Sequence, residues 1–107
     1  MIKVTYYVGT NNRDTLKPEL CKKDFIKVFD ELFKDYTLVE AIGRFTNKNN
    51  ETTEELSLIV TTLVDEDDIQ TTNKLKIKIL NNVETMKDVL NQESILVEIY
   101  KPETIFL

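Results

Sequence analysis

The hydrophobic and polar positions along the chain predict six elements in the order strand, helix, strand, strand, helix, strand. Apolar and polar side chains alternate over residues 2–8, which is the period of a half-buried strand. Over residues 20–36 the apolar side chains recur at intervals of three and four, as on one face of an amphipathic helix. Alternation returns over residues 37–45, and residues 56–64 are rich in β-branched side chains, so the polar tract at 47–53 is predicted to be a hairpin loop.

The region after Asp68 fits two patterns. Lys74, Lys76 and Lys78 alternate with apolar residues as in a strand, and the same residues also fit a helix, so the pattern at 71–80 leaves both open. Helical spacing continues to residue 91 without a Gly or Pro, which favours a long second helix. A last strand follows over residues 95–100, and the apolar residues 104–107 are expected either to add a short edge strand or to fold across the sheet.

This order predicts an α+β fold, a ferredoxin-like βαββαβ sandwich. Two right-handed crossovers give a four-stranded antiparallel sheet in which the first and third strands are central and both helices cover one face. A chain of 107 residues can close one core but not two. We therefore expect a single domain over residues 1–107.

The second face of that sheet is predicted to be open. If Val4, Tyr6 and Val8 point at the helices, the neighbouring positions point away from them. The residues expected on this open face are Thr5, Tyr7, Ile42, Ile59, Leu63, Leu96 and Tyr100. Because large exposed apolar patches usually mark an interface, we expect a homodimer formed through the sheet, unless the C-terminal residues cover it.

Two local features are expected to be structural. Gly43 inside a strand indicates a bulge or a close backbone approach. Cys21 stands three residues before Asp24 at the start of the first helix, which fits a capping arrangement. A nucleophilic Cys21 is disfavoured because the chain has no His to activate it.

The formal net charge of -5 disfavours a general binder of phosphate backbones. Acidic residues gather in two predicted loops, one with Glu51, Glu54 and Glu55 and the other with Asp65, Glu66, Asp67 and Asp68. One interpretation is that they are solvated loops and a helix N-terminus that favours negative charge. The other is that they present an acidic decoy to the basic groove of a nucleic-acid enzyme.

The composition also bears on location. No stretch approaches the roughly 20 apolar residues of a membrane span, and the chain starts with a strand pattern rather than a signal peptide. A single Cys is typical of a reducing compartment. We therefore expect a cytoplasmic protein with no membrane partner.

The sequence contains no His, no Trp, and no paired carboxylates or Gly-rich turn at a catalytic spacing. We accordingly predict no catalytic residue, no metal site and no cofactor. A ligand site is nevertheless expected at one edge of the sheet, where the topology gathers Tyr7, Asn11, Arg13, Arg44 and Gln92. Arginine forms paired hydrogen bonds with carboxylates and phosphates, so a small anion fits there, and so does pairing of each Arg with a loop carboxylate.

Three short segments carry a resemblance to a bacterial family of small ferredoxin-like proteins of unknown function. They are Tyr6-Tyr7-Val8-Gly9, the stretch Gly43-Arg44-Phe45 that closes the second strand, and Gln92-Glu93-Ser94 before the last strand. The chain departs from that family where Met86 or Val89 stands in place of an aromatic residue near the end of the second helix. The resemblance implies a helix over residues 71–90 and implies no activity.

Three functions fit these observations. The first is a non-catalytic protein-interaction module that associates with itself through the open sheet face. The second is an inhibitor of the phage or plasmid type that binds a host or defence protein through acidic loops, in keeping with the Lys, Asn and Ile bias of such mobile genetic elements. The third is a protein or enzyme that binds a small anionic ligand at the edge with Arg13 and Arg44.

Overall fold

The computed structural model describes residues 1–65 and 69–101. The elements are β1 (Ile2–Gly9), α1 (Lys22–Leu32), β2 (Thr37–Thr46), β3 (Thr52–Val64), α2 (Ile69–Val89) and β4 (Leu96–Tyr100). The strands form one antiparallel sheet in the order β2-β3-β1-β4. This is the predicted ferredoxin-like arrangement with β1 and β3 in the centre. The expectations placed on residues 66–68 and 104–107 lie outside the described residues.

The core lies between the sheet and the two helices. The alternate residues of β1 that were expected to face the helices are buried, and α1 covers them with Phe25 and Phe29. The Tyr6 ring lies 5.0 Å from that of Phe33. Fully or nearly fully buried apolar residues are Ile2, Val4, Tyr6, Val8, Phe25, Val28, Phe29, Phe33, Leu58, Val60, Leu75, Ile79, Met86 and Leu90.

Helix α1 is shorter than the apolar period indicates. It ends at Leu32, yet Phe33 and Tyr36 continue the pattern because they fold back onto the same core. Their rings pack against each other at 6.3 Å. The spacing of apolar residues therefore identifies the side chains that reach the core, although the helix itself covers only part of that stretch.

The stretch at residues 71–80 that fitted both a strand and a helix belongs to α2. Leu75 and Ile79, one helical turn apart, are buried, while Lys74, Lys76 and Lys78 are exposed. Neither helix among the described residues has the length and apolar character needed to cross a membrane.

The start of α1 has the expected cap. The Asp24 carboxylate accepts a hydrogen bond of 2.9 Å from the backbone N–H of Cys21, and the Cys21 Sγ lies 3.2 Å from the same oxygen. The thiol contact and then the backbone hydrogen bond lower the pKa of the Asp24 carboxyl from its usual value. Cys21 is free and exposed.

The β2–β3 hairpin decides between the two alternatives for Gly43 and corrects the expected start of β3. Its register runs without a break from Thr37 opposite Thr61 to Thr46 opposite Thr52, so Gly43 forms no bulge. β3 begins at Thr52 because the β-branched threonines extend the ladder into the tract expected to be loop. Glu54 and Glu55 are therefore strand residues, whereas Glu51 lies in the loop.

Candidate ligand-binding cleft

A cleft of about 410 Å³ opens on the sheet face that the helices leave uncovered. It lies where the end of β1, the hairpin end of β2 and β3, and the start of β4 come together. We call it the open-face cleft. The lining residues used below are Tyr7, Gly9, Asn11, Arg13, Ala41, Gly43, Phe45, Glu55, Ser57, Ile59, Gln92 and Leu96.

The floor of the cleft consists of small residues. Ser57 on β3 lies between Gly9 on β1 and Ala41 on β2, and the next open-face position on β3, Glu55, lies beside Gly43. A Cβ atom on Gly43 would lie 2.4 Å from a ring carbon of Phe45 and 2.7 Å from the Ser57 hydroxyl oxygen. Gly43 is thus the predicted close approach, because glycine leaves room for the Phe45 ring that lies over it.

Larger side chains border this floor on both sides along the strands. One step toward the middle of the sheet, Ile59, Tyr7 and Leu96 form a row across β3, β1 and β4. On the other side Phe45 follows Gly43 at the next open-face position of β2. The open-face cleft therefore lies between this apolar row and the Phe45 ring, which extends over Gly43.

The Ser57 hydroxyl is a buried polar group of the cleft without a hydrogen-bond partner. Ser57 is 6% exposed, and its Oγ has no hydrogen-bond partner within the part of the chain that the structure describes. A buried hydroxyl without a partner costs free energy, and native proteins rarely retain one without a purpose. A ligand atom on the floor would supply the missing hydrogen bond.

Glu55 provides a carboxylate at a fixed position in the cleft. Its Oε2 accepts a hydrogen bond of 2.7 Å from the backbone N–H of Asn11. The carboxyl carbon would lie 2.8 Å from a Cβ on Gly9, so the carboxylate lies directly over that glycine. Glycine at position 9 leaves room for this carboxylate.

Tyr7 contributes a phenol that is already engaged. Its hydroxyl donates a hydrogen bond to the Glu98 carboxylate on β4. This hydrogen bond, and then desolvation, raise the pKa of Tyr7 above its ordinary value. The phenol therefore stays protonated near neutral pH and presents its ring to the cleft.

The rim of the cleft consists of two loops that are bonded to each other. The Gln92 side-chain amide donates to the backbone carbonyls of Asn11, at 2.9 Å, and Leu90, at 3.1 Å. The backbone N–H of Arg13 donates to the Asn91 carbonyl at 2.9 Å. These bonds fix the backbone of Arg13 at the rim, and they give Gln92 a structural role because both amide hydrogens are used.

Of the five residues expected at the ligand edge, the structure brings four together. Tyr7, Asn11, Arg13 and Gln92 line the open-face cleft, and Arg44 does not. Arg44 pairs in register with Glu54 and so points to the other face of β2. Placing Arg44 with Arg13 was wrong because both were located by strand ends without regard to which face each residue occupies.

The residues expected on the open face are divided in the same way. Register puts Thr5, Tyr7, Ile59, Leu63, Leu96 and Tyr100 on that face. Ile42 is opposite Leu56, which shares the helix-side face with buried Leu58, so its assignment to the open face was wrong. Ile42 is 82% exposed because α1 and α2 do not extend over that part of β2.

The acidic residues do not form one surface. Glu51 and Glu55 line the open-face cleft, whereas Glu54 points to the opposite face. Asp65 follows β3 directly, and it lines a separate cavity of about 420 Å³ near the end of α1. Within residues 1–65 and 69–101 no three acidic, Cys or His side chains are grouped as a metal site.

The places of Ser57, Glu55, Gly9 and Phe45 in the cleft were not anticipated from the sequence. Glu55 was singled out only as an acidic loop residue, Gly9 and Phe45 only within the segments that carry the resemblance, and Ser57 not at all. The useful signal was the presence of both glycines, at positions 9 and 43, at open-face strand positions. They lie on the same sheet face on either side of β3, and each leaves room for a side chain, the Glu55 carboxylate over Gly9 and the Phe45 ring over Gly43.

Comparisons with known proteins reveal a likeness of fold. No family model matches the chain, and no curated protein matches it. A phage SAM lyase solved in complex with S-methyl-5′-thioadenosine aligns with 94% of this chain and 80% of its own, at 19% identity and a TM-score of 0.71. A phage SAM lyase in the apo state aligns over 92% and 78%, at 19% identity and a TM-score of 0.72. At this identity the likeness establishes a shared fold.

Proposed function

We propose that the chain binds S-adenosylmethionine in the open-face cleft and cleaves it to S-methyl-5′-thioadenosine. The observation that carries the proposal is the buried, unpartnered hydroxyl of Ser57 on the cleft floor. The fold shared with phage SAM lyase over 94% of the chain supports this choice of ligand.

The shape of the cleft suits an adenosine group. Its volume of about 410 Å³ is in the range of small-molecule sites, roughly 300–1,000 Å³. The floor at Ser57 and Ala41 has the Tyr7 ring on one side and, on the other, the Phe45 ring, which lies over Gly43. A purine ring lies between such groups with its edge over the Ser57 hydroxyl, which then gains a hydrogen-bond partner.

The charge of the cleft suits the sulfonium. S-adenosylmethionine carries a sulfonium, an ammonium and a carboxylate, and is a cation overall. The Glu55 carboxylate and the formal net charge of -5 attract it, while Arg13 at the rim is placed to pair with its carboxylate. S-methyl-5′-thioadenosine is neutral, so this attraction is lost on cleavage and product release is favoured.

The chemistry requires little from the protein. The bond between the sulfur and the four-carbon amino-acid chain breaks, and its electron pair passes to sulfur, which leaves as a neutral thioether. The carbon either forms a bond to the substrate's own carboxylate oxygen, giving a lactone, or the chain loses a proton to a base such as Glu55, giving an alkene. Neither route needs an acid to protonate the leaving group, which agrees with a cleft built without His.

The test is to incubate the purified protein with S-adenosylmethionine and to follow S-methyl-5′-thioadenosine by chromatography. The four-carbon product, identified by mass spectrometry, distinguishes lactone from alkene. Glu55→Gln should lower kcat/KM by about 10²-fold. Glu54→Gln, one residue away on the opposite face, should leave it unchanged.

Calorimetry with S-methyl-5′-thioadenosine separates binding from catalysis. Binding without turnover would refute the cleavage step and retain the ligand class. No binding and no turnover would refute the whole proposal. Loss of activity in both glutamate variants alike would show that the cleft is not the site.

A second candidate function is self-association or protein binding through the open sheet face. The observation that favours it is the exposed apolar surface that continues from Leu96 at the cleft border to Leu63 and Tyr100 beyond it. Leu63→Asp should abolish such binding without affecting turnover. An unchanged solution mass for Leu63→Asp across a dilution series would contradict self-association there.

A further inference from the structure

Strand β2 has its backbone groups turned alternately toward β3 and toward the outside of the sheet. The N–H of Asn47 donates to the Glu51 carbonyl at 2.9 Å and closes the hairpin, so the odd-numbered residues of β2 bond to β3. The N–H of Thr10 donates to the Leu56 carbonyl at 3.1 Å, which independently puts the even-numbered residues of β3 toward β1. The backbone groups that point outward from β2 belong to Leu38, Glu40, Ile42, Arg44 and Thr46.

This edge carries few of the devices that usually protect an outer strand. β2 is 10 residues long, contains no Pro or Lys, and continues its ladder with β3 without a bulge. Val39, Ile42 and Phe45 are all more than half exposed. A long, regular and apolar outer strand is a template for pairing with another strand.

We propose that β2 pairs antiparallel with β2 of a second copy of this chain, about a two-fold axis at Ile42. Ile42 then faces its own counterpart, on the helix side of the sheet where it is 82% exposed. Glu40 lies opposite Arg44 of the second copy, and Arg44 lies opposite Glu40. Val39 lies opposite Phe45 of the second copy on the open face.

Charge selects this register over its neighbours. Centring the axis on Glu40 opposes two glutamates, and centring it on Arg44 opposes two arginines, both of which are destabilising. Centring it on residue 41 or 43 leaves each charge without an opposite charge. Only the axis at Ile42 pairs both charges and both large apolar residues across the strands.

The same face supplies a further charge. The Lys22 ammonium on α1 lies 2.6 Å from Oε1 of Glu40. In the pair of copies the Glu40 carboxylate lies between Lys22 of its own chain and Arg44 of the other. Such a network on an exposed surface is stronger than an isolated pair.

Pairing would join the two sheets into one, with both open faces on the same side because the axis is perpendicular to the sheet. Ala41, Gly43 and Phe45 of β2 line the open-face cleft. Val39 of the second copy would therefore lie beside Phe45 and extend the apolar border of each cleft. The inference rests on the geometry of β2 and is independent of the proposed reaction.

The first test is the solution mass by sedimentation across a dilution series. The native chain should be a dimer. Ile42→Pro should be a monomer with an unchanged far-ultraviolet spectrum, because it removes an N–H that points outward and leaves the ladder to β3 intact. Ile42→Thr keeps that N–H and the β-branch, and should remain a dimer.

The second test exchanges charges. Arg44→Glu and Glu40→Arg should each raise the dissociation constant at least about tenfold, because each opposes like charges in both symmetric pairs. Mixing the two variants should restore a dimer containing one copy of each, measured with a fluorescent label on one of them. This complementation identifies the register and also shows that both variants are folded.

Three results would overturn the proposal. They are a native chain that stays monomeric at several hundred micromolar, a dimer that survives Ile42→Pro, and a mixture of the two charge variants that stays monomeric. A dimer lost in Leu63→Asp but kept in Ile42→Pro would place self-association on the open face instead.

Discussion

The backbone N–H of Asn11 donates a hydrogen bond of 2.7 Å to Glu55, and this bond holds a carboxylate over Gly9 in the open-face cleft. The carboxylate is therefore positioned by the protein before any ligand arrives. Such preorganisation matters most for a group that faces a cation.

Gly9→Ala should disturb this arrangement. The added methyl group would lie within 2.8 Å of the Glu55 carboxyl carbon and would displace the carboxylate from Asn11. Because the displaced group is the end of a flexible side chain, the fold should persist while kcat/KM for S-adenosylmethionine falls by about 10²-fold. In the Gly9→Ala background, Glu55→Gln should have little further effect, and a fully additive loss would contradict this coupling.

Ser57→Ala should affect stability and binding in opposite directions. Removing an unpartnered buried hydroxyl should leave the free energy of unfolding unchanged or raise it by about 1 kcal/mol. Binding of S-methyl-5′-thioadenosine should weaken because its hydrogen bond is lost. Urea unfolding and calorimetry measure the two effects.

Thr61→Val is the matched control for Ser57→Ala on the same face. The Thr61 hydroxyl is hydrogen-bonded to that of Thr5 at 3.2 Å, so its removal should lower the free energy of unfolding by about 0.5–1.5 kcal/mol. Ligand affinity should not change. A destabilised Ser57→Ala with unaltered binding would mean that the hydroxyl serves the fold.

The Tyr7 phenol should titrate above its ordinary value. The hydrogen bond to Glu98 raises the pKa of Tyr7 from 10.0. Folding therefore favours the protonated phenol, so this contribution to stability is complete below pH 10 and is lost as the pH rises through the pKa of the folded state. Ring-carbon NMR of labelled tyrosine measures the titration.

Glu98→Gln should bring the pKa of Tyr7 back toward its ordinary value. Tyr36 is the internal control, because its pKa is raised by a hydrogen bond of 2.6 Å to Asp30 and does not depend on Glu98. A Tyr7 titration that Glu98→Gln leaves unaltered would show that another group holds the phenol proton.

Asp24 should titrate below its ordinary value and contribute to stability in the opposite pH range. Its pKa is lowered, so the contribution is present above pH 3.8 and is lost as the pH falls through the pKa of the folded state. Cys21→Ala should raise the pKa of Asp24, and Cys21→Ser should keep it low. Carboxyl-carbon NMR distinguishes these outcomes, and identical values in both variants would contradict the role of the thiol.

Alanine substitutions of a buried and a cleft phenylalanine should affect stability and ligand binding differently. Phe29 is fully buried, and Phe29→Ala should lower the free energy of unfolding by about 3–5 kcal/mol. Phe45 is about half exposed at the cleft border, so Phe45→Ala should cost much less stability while weakening binding. Similar unfolding curves for the two variants would contradict this division.

The order of the elements could be predicted from the sequence because most of them have one dominant period of apolar residues. The alternation in β1 and the spacing in α1 correspond directly to burial of Val4 and Phe25. Where two patterns overlapped, as in residues 71–80, length decided, since a strand of some twenty residues is unusual. Element order then restricted the sheet to one arrangement.

The site was less accessible because it depends on register. Arg44 and Ile42 were assigned to the wrong face, since the pattern of β2 alone does not say which set of alternate residues faces the helices. The importance of Ser57 appears only when Gly9 and Ala41 are seen on either side of it. This neighbourhood depends on the register of three strands, which the sequence pattern of one strand does not reveal.

Because side chains alternate along β1, one of its faces serves the core and the other serves the cleft. The even-numbered residues from Ile2 to Val8 hold the core, while Tyr7 and Gly9 shape the cleft. Mutations can therefore accumulate at one set without disturbing the other. Among homologous proteins we expect the buried residues of β1 to be conserved and the cleft residues to vary, so that proteins with the same fold bind different ligands.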